Sequence, residues 1–491
     1  MARNSRKIWA LYAAPLALMG GISVVAAQPA APTSITQKEA QLGAQYHPTL
    51  LAEYGGAMTG PQAQYVEQLG KRIALQSGLS NAENAFTVTL LNSPVRNAFA
   101  VPGGYIYSTR QLVALMNSEA ELAAVLGHEV GHVAAGHWRE RQKATRRNSL
   151  FGAGGAILSG ILFGNSDIGR LGQQLATQGS QLWTLRFSRK QEHEADDLGM
   201  LYLGRAGYDR RAMSTVLASL AAQTELDARI EGRNASVPEW ASTHPNIADR
   251  VVRMQSQAQA AGTGGVTNRD AFLSRIDGML YGDDPAQGVI EGSRFIHPQL
   301  MLSFTAPQGF IMANSARSVS VQGQGGQAEL TLASYNGDLE GYLRQQFAAA
   351  GGQNSNLAPQ QVERTTVNGL PAIYGVARTN SGQRQVDVVV FAYEFARDRA
   401  YHFTAIAPAG QAATFNPMFQ SMRRITDAEA RNVVARRLQI VTVARGDTVA
   451  SLAQRMAYPS GQEERFRVLN ALGSNDSVVP GQRVKLVVRA R

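Results

Sequence analysis

The feature that most constrains the fold of this chain is the segment His128-Glu129-Val130-Gly131-His132. Two histidines four residues apart lie on one face of an α-helix, so their imidazole nitrogens can converge on one metal ion. Glu129, next to the first histidine, is placed to hold a metal-bound water. Zinc lowers the pKa of such a water towards neutrality, and a carboxylate takes its proton as it attacks a carbonyl. The segment therefore predicts a helix that carries a zinc site.

The flanking sequence favours a buried helix over a chance match on a polar surface. Ser118 and Glu121 form the pattern of a capping box, which places a helix start there. Apolar residues then recur at helical spacing: Leu122, Val125, Leu126, Val130 and Val133. The two histidines thus belong to a helix with an apolar face to bury.

A second segment, Glu192-His193-Glu194-Ala195-Asp196, offers the third protein ligand that a catalytic zinc needs. Glu192 and Asp196 are four residues apart and share one helix face. We expect Glu192 to complete the ligand set and Asp196 to accept the other ring N–H of a ligand histidine. Taken alone, the segment is also typical of an exposed acidic helix face.

Four segments in order resemble the zinc metalloprotease family, of gluzincin type, that includes HtpX, BepA and the CAAX prenyl endopeptidase. They are Asn97-Ala98-Phe99-Ala100-Val101-Pro102-Gly103-Gly104, the His128 segment, Glu192-x-x-Ala-Asp196, and Ser242-Thr243-His244-Pro245. The resemblance covers about residues 35–254, and four ordered motifs are far more specific than one. It implies that His128, His132 and Glu192 bind one zinc ion per chain, with Glu129 as the base. The sequence departs from the family at Gln111, where a glycine is expected.

The resemblance also implies two roles next to the zinc. Residues 97–100 (Asn97, Ala98, Phe99 and Ala100) would form an edge strand that pairs with an extended substrate, which is compatible with an ordinary core hairpin. His244 would be a regulatory fourth zinc ligand in a self-inhibited enzyme. Arg250 can pair with an acidic site residue. His137, five residues after His132 and off the ligand face, is expected to be structural.

The length of 491 residues, with 44% hydrophobic and 17% charged residues, is enough for several domains. We expect an α+β multidomain protein. A mainly helical, zincin-type protease domain with a small sheet would span residues 28–256. A linker at 257–287, an antiparallel α+β accessory domain at 288–430 and a small βααβ domain at 437–491 would follow. In the accessory domain His297 and His402 are isolated, and core or surface roles are the default.

The last region resembles a LysM module, a class that binds N-acetylglucosamine polymers such as peptidoglycan. The matching segments are Val441-Thr442-Val443-x-x-Gly446-Asp447-Thr448, Leu452-Ala453, Phe466-x-x-Leu469-Asn470 and Pro480-Gly481-Gln482. The stretch 457–462, between the two helices of the module, is longer than expected.

The chain has a net charge of +10, and residues 431–491 hold eleven Lys/Arg against four Asp/Glu. This surplus suits an anionic membrane or cell-wall surface, whereas no nucleic-acid motif is visible.

Residues 1–27 have the pattern of a signal peptide, with Arg3, Arg6 and Lys7 before an apolar stretch and a candidate cleavage site at Val25-Ala26-Ala27. An uncleaved anchor is the alternative. The absence of cysteine fits an oxidising compartment, and we expect the bacterial periplasm.

Residues 150–163 are apolar and glycine-rich but too short to span a bilayer. They suit a core helix, a cover over the active site or an interfacial segment.

These features predict a zinc-dependent endopeptidase of the periplasm, with Glu129 activating a zinc-bound water. The resemblance implies misfolded or stalled envelope and outer-membrane proteins as substrates, hence a role in protein quality control and outer-membrane assembly. Two alternatives stay open. The protein can be a self-inhibited chaperone or assembly factor whose zinc is capped by His244, or an adaptor that the C-terminal module directs to cell-wall glycan.

Overall fold

The computed structural model describes residues 34–141, 187–231, 240, 244–260, 262, 264–351, 357–381 and 384–490. The predicted signal peptide and the apolar stretch 150–163 lie outside these residues. No helix in the described ranges is both long and apolar enough to cross a bilayer.

Helices and strands follow one another in a mixed order along the described chain. The helices are α1 (Gln37–Glu53), α2 (Pro61–Ala74), α3 (Ala82–Ala85), α4 (Arg110–Leu115), α5 (Glu119–Ala134), α6 (Arg189–Arg205), α7 (Ala212–Glu231), α8 (Ile247–Ala260), α9 (Arg269–Ile276), α10 (Leu339–Gly351), α11 (Asn416–Ser421), α12 (Asp427–Asn432), α13 (Val449–Ala453) and α14 (Gln462–Leu469). The strands are β1 (Thr87–Leu91), β2 (Ala98–Val101), β3 (Tyr105–Thr109), β4 (Leu280–Tyr281), β5 (Val289–Glu291), β6 (Arg294–His297), β7 (Leu302–Thr305), β8 (Ile311–Asn314), β9 (Val319–Gly323), β10 (Gly326–Leu332), β11 (Gln361–Val367), β12 (Leu370–Ser381), β13 (Arg384–Ala396), β14 (Arg399–Pro408), β15 (Arg423–Arg424), β16 (Arg436–Thr442) and β17 (Arg483–Arg489).

The N-terminal part is mainly helical and carries a three-stranded sheet in the order β1-β3-β2. β3 pairs parallel with β1 and antiparallel with β2, which leaves β2 at the edge. The β2–β3 turn contains Gly103 and Gly104 at φ values of 84° and 77°, a region of backbone space that favours glycine. The predicted small sheet with an edge strand at 98–101 is thus present.

Helix α5 is the centre of this part and is buried along almost its whole length. Its N-terminus is fixed by Ser118, whose side chain accepts a hydrogen bond from the backbone N–H of Glu121, one of the two hydrogen bonds of the predicted capping box. The Glu121 carboxylate accepts from the backbone N–H of Asn117 in place of that of Ser118. Against it packs α6. A Cβ atom at Gly131 would lie 2.9 Å from the backbone oxygen of Ala195, so the two helices approach closely there because residue 131 has no side chain.

Residues 288–430 form an α+β region with antiparallel pairing, in line with the prediction. A seven-stranded sheet has the order β11-β12-β13-β14-β10-β9-β8, and a four-stranded sheet has the order β15-β7-β6-β5. α10 packs on one face of the large sheet, around Leu343 and Phe347. The four-stranded sheet and α11 cover the other face, where Phe304, Phe403 and Phe419 form the core.

The C-terminal part has the predicted order strand, helix, helix, strand, and β16 pairs antiparallel with β17. Thr448 caps α13. The likeness to LysM itself stays a prediction. This part shares one hydrophobic core with the N-terminal part. Lys485 on β17 is fully buried and donates to the carbonyl oxygens of Ala114, Leu115 and Met116 at 2.9, 3.0 and 2.7 Å.

The stretch 257–287 differs from the expected linker. It contains the end of α8, all of α9 and β4, which pairs with β16. Phe272, Leu273 and Ile276 on α9 are buried in the core shared by the two parts. The Gln, Ala, Gly and Thr content of its first residues suggested a flexible segment, but the apolar residues that follow fix it in place. The domain boundaries stay a proposal.

Gln111, which stands where the family resemblance predicts a glycine, forms a hydrogen bond to the stretch 257–287. Its buried side chain accepts a hydrogen bond from the backbone N–H of Gly282 at 2.8 Å. The residue therefore ties α4 to the segment that follows β4. A glycine at position 111 has no side chain to make this contact.

Candidate metal centre

Helix α5 presents His128, Glu129 and His132 to the interior, where all three side chains are buried. The two Nε2 atoms of the histidines lie 3.0 Å apart, as expected for residues one turn apart on one helix face. Close packing against α6 brings Glu192 to the same point. Its carboxylate oxygens lie 3.5 Å from His128 Nε2 and 3.6 Å from His132 Nε2.

His244 completes the cluster, as the resemblance implied. Its Nδ1 lies 3.1 Å from His128 Nε2 and 3.1 Å from a Glu192 oxygen. One ligand atom from each of His128, His132, Glu192 and His244 lies within 4.8 Å of the others, and all four residues are buried. The structure thus brings together the three predicted ligands and the predicted fourth one.

These distances fit a tetrahedral zinc ion. Zinc binds nitrogen and carboxylate oxygen at about 2.0–2.2 Å, which puts neighbouring ligand atoms roughly 3.3 Å apart. The chemistry of the donors agrees. Imidazole nitrogens and a carboxylate oxygen that converge in a buried space are the donor types that zinc prefers. Burial and the neighbouring His128 hold the pKa of His132 well below its usual value, so the ring is neutral, as a ligand must be.

The other ring nitrogen of His128 has the partner that the sequence predicted. Asp196 Oδ1 lies 2.9 Å from His128 Nδ1. Arg250 donates to the two Asp196 oxygens at 2.8 and 2.6 Å and lies 2.8 Å from Glu192. Burial raises the pKa of Asp196, but the hydrogen bonds from Arg250 and His128 outweigh it and hold that pKa well below its usual range. The charged carboxylate therefore accepts a hydrogen bond from the Nδ1–H of His128. This bond directs the Nε2 lone pair of His128 towards the cluster.

Glu129 is next to the cluster but is not one of its four members. Its Oε1 accepts a hydrogen bond from Trp240 Nε1 at 3.4 Å and lies 3.4 Å from His244 Nε2. Its Oε2 is buried and has no hydrogen-bond partner among the described residues. A buried carboxylate oxygen of this kind normally has a partner. A substrate water is the partner that a general base would have here.

A cleft runs from the cluster along the edge strand β2. Its empty space is about 690 Å³, open solvent included, and His132 and His244 lie in its wall. Phe99, Val101 and Val133 give it an apolar lining. Of the predicted substrate-binding residues, Ala98 to Ala100 lie on β2, and Asn97 precedes the strand. The outer edge of β2, which has no paired strand among the described residues, thus borders the same cleft as the metal cluster.

Sequence reasoning missed three side chains at the site. Trp240 stacks on His244 with ring centroids 4.6 Å apart, and its position four residues before His244 was an available signal. Phe187 stacks on His132 at 3.8 Å, with no signal in the sequence. His137 was predicted to be structural, yet its Nδ1 lies 2.8 Å from Nδ1 of His132.

Comparison with known proteins agrees with this site. Residues 61–258 match the model of "Peptidase family M48". The mitochondrial metalloendopeptidase OMA1 of Schizosaccharomyces pombe is 31% identical over 209 residues, which cover 42% of this chain and 57% of that protein. The beta-barrel assembly-enhancing protease of Escherichia coli K12 is 30% identical over 198 residues, which cover 40% of this chain and 38% of that protein. A crystal structure of a Bacteroides thetaiotaomicron protein covers 41% of this chain at 8% identity, with a TM-score of 0.25, and carries no weight.

The chain therefore spans less than two thirds of the length of either relative. The members of family M48 are zinc-dependent, which agrees with the four buried donors. Residues 61–258 of this chain are thus similar to peptidase family M48, a family of zinc metalloendopeptidases.

Proposed function

We propose that this protein is a zinc-dependent endopeptidase of the bacterial periplasm that acts on misfolded or stalled envelope and outer-membrane proteins. The observation that carries the activity is the buried Oε2 of Glu129, which has no hydrogen-bond partner in the described part of the chain and lies beside a four-donor cluster. A structural carboxylate in such a place would be expected to have both oxygens hydrogen-bonded.

Each residue of the site has its own role in peptide-bond hydrolysis. His128, His132 and Glu192 hold the zinc, and Asp196 with Arg250 keeps His128 in the ligating tautomer. Zinc, when bound, polarises the scissile carbonyl and acidifies the attacking water. Glu129 takes the proton of that water on Oε2 and passes it to the leaving amine.

Substrate binding by backbone contacts favours unfolded chains. β2 is an edge strand, so its free N–H and C=O groups can pair with an extended peptide whatever its side chains are. Only a segment without its own secondary structure offers a free backbone, which selects unfolded or unassembled proteins. The proposal of envelope substrates is supported by the relative named beta-barrel assembly-enhancing protease.

A direct experiment is the degradation of an unfolded outer-membrane protein by the mature chain. Glu129→Gln keeps the size of the side chain but cannot accept a proton, so cleavage should fall by at least about a hundredfold with zinc content unchanged. Glu225→Gln, on the exposed side of α7, is the matched control and should cleave like the wild type. Cleavage by Glu129→Gln at the wild-type rate would rule out the proposal.

A second candidate, an assembly factor with a capped zinc, is favoured by the position of His244. Its Nδ1 is one of the four clustered donor atoms, which supports a role as fourth ligand, and Trp240 stacks on the ring. A histidine in that role would fill the open coordination position that catalysis needs. We expect His244→Ala to cleave faster than the wild type. Equal rates would argue against a capped resting state.

The C-terminal module is proposed to hold the protein at a peptidoglycan or anionic membrane surface. Its excess of Lys/Arg supports this proposal, and the loop around Gly446 and the stretch 473–477 are exposed. The full chain should sediment with purified peptidoglycan at physiological salt, and soluble glycan fragments should compete. Sedimentation that only salt abolishes would indicate charge attraction without glycan recognition.

A further inference from the structure

The second zinc-binding histidine, His132, has a partner of its own in the turn that ends α5. His132 Nε2 faces the cluster, 3.0 Å from His128 Nε2, while its Nδ1 lies 2.8 Å from His137 Nδ1. The side chain of His137 is 1% exposed, and the two rings meet edge to face with centroids 5.0 Å apart. The contact is therefore a buried, short hydrogen bond between two imidazoles.

The chain reaches this geometry because α5 stops just before His137. α5 ends at Ala134, and Gly136 adopts a left-handed φ of 70°. On a continuous helix a residue five positions after His132 points well away from it. The left-handed glycine interrupts the helix and redirects the chain, so that His137 lies beside His132.

The positions of the protons follow from the role of His132. A ring nitrogen that binds zinc carries no proton, so a neutral His132 that binds through Nε2 has its proton on Nδ1. That N–H has one short partner, so it donates to His137 Nδ1. His137 in its neutral form then has its own proton on Nε2, which lies 3.5 Å from Glu194 Oε2 and makes no hydrogen bond among the described residues. Glu194 is on α6 and is half-exposed, so its side chain is free to approach.

We propose that His137, with Glu194 behind it, is a positioning residue that fixes the tautomer and orientation of His132 for zinc. The site then has two outer arms, since Asp196 does the same for His128. The direct partner of His128 is a carboxylate held by an arginine, and the direct partner of His132 is a neutral imidazole. This inference rests on the zinc site of the proposed function.

The alternative is that His137 only fills space under the site. An aromatic ring of similar size then serves as well, and the acceptor atom is irrelevant. His137→Phe keeps a ring but removes the acceptor, whereas His137→Asn is smaller but offers a side-chain oxygen near the position of Nδ1. The two variants separate the hydrogen bond from the packing, because they change these two properties in opposite directions.

The test is the zinc dissociation constant, measured by chelator competition on full-length protein in the Glu129→Gln background. Outer-sphere partners of ligand histidines typically contribute 10–100-fold in metal affinity. His137→Phe should bind zinc about 10–100-fold more weakly, and His137→Asn should recover most of the loss. Cobalt, substituted for zinc, should show a changed visible spectrum in His137→Phe and a nearly unchanged one in His137→Asn.

Each outcome bears on one claim. If the Glu129→Gln protein with His137 intact binds no zinc, the proposed function is wrong. If it binds zinc, but His137→Phe binds zinc equally tightly, only this inference is wrong. Equal loss in both His137 variants, with equal loss of apo-protein thermal stability, shows that the residue is structural. If His137→Phe does not fold, Glu194→Ala decides, because its half-exposed side chain is outside the core. Several-fold weaker zinc binding in that variant supports the inference, and unchanged binding overturns it.

Discussion

The close packing of α5 on α6 makes a sharp prediction for two glycines of the zinc helix. Gly127 and Gly131 are four residues apart and both face α6. A Cβ at Gly131 would lie 2.9 Å from the backbone oxygen of Ala195, too close for two real atoms. A Cβ at Gly127 would have its nearest neighbour at 3.4 Å, an ordinary contact. Gly131→Ala therefore has to separate the helices, whereas Gly127→Ala does not.

The size of the effect follows from two opposing terms. Alanine in a helix interior is more favourable than glycine by about 1 kcal/mol, and both variants gain this equally. Overpacking a rigid contact costs about 1–3 kcal/mol, and only Gly131→Ala incurs it. The free energy of unfolding should thus be about 1–3 kcal/mol lower in Gly131→Ala than in Gly127→Ala. Separation also moves Glu192 from the histidines, so zinc should bind at least about tenfold more weakly.

The assays are urea unfolding of the zinc-free proteins and chelator competition for zinc. Gly127→Ala is the matched control, since it has the same chemical change in the same helix. Equal stability and equal zinc affinity of the two variants would show that the helix contact does not set the site geometry. A loss of stability without a loss of zinc affinity would separate packing from the metal centre.

Three further predictions concern stability. Lys485→Ala leaves the buried carbonyls of residues 114–116 without their donor, so it should lower the free energy of unfolding by about 3 kcal/mol. The control Arg489→Ala removes a half-exposed side chain and should lower it by less than about 1 kcal/mol. Urea titration measures both values. Burial lowers the pKa of His402 to about 4, below its ordinary value. Between that pKa and the ordinary one, His402 binds a proton in the unfolded chain but not in the folded chain. Stability should therefore fall by up to about 3 kcal/mol as the pH drops from 6.5 to 4, and the slope should be smaller in His402→Gln. Chelation of zinc should lower the melting temperature, and added zinc should restore it, because the metal binds only the folded site.

The parts of this structure that the sequence predicted are those set by local rules. The capping pattern at Ser118 and the apolar spacing after it located α5, and helical spacing put Glu192 and Asp196 on one face. The alternating strands of the accessory region likewise follow from a pattern with a period of two residues. In these cases neighbouring residues along the chain determine the outcome.

The parts that escaped prediction depend on contacts between distant segments or on one backbone angle. His137 was assigned by extending α5 past its end, and only the left-handed Gly136 reveals the turn. The stacking of Phe187 on His132 is a tertiary contact without a local signal. The stretch 257–287 resembled a linker by composition, but its packing depends on a core shared with residues 436–489.

The measurement that tests the account most directly is cleavage of an unfolded protein by His244→Ala and by the double variant His244→Ala/Glu129→Gln. The single variant opens the fourth position of the cluster, and the double variant then removes only the base. We expect cleavage by the single variant and a loss of at least about a hundredfold in the double one, with equal zinc content. Undiminished cleavage by the double variant would contradict the role of Glu129 and with it the central claim.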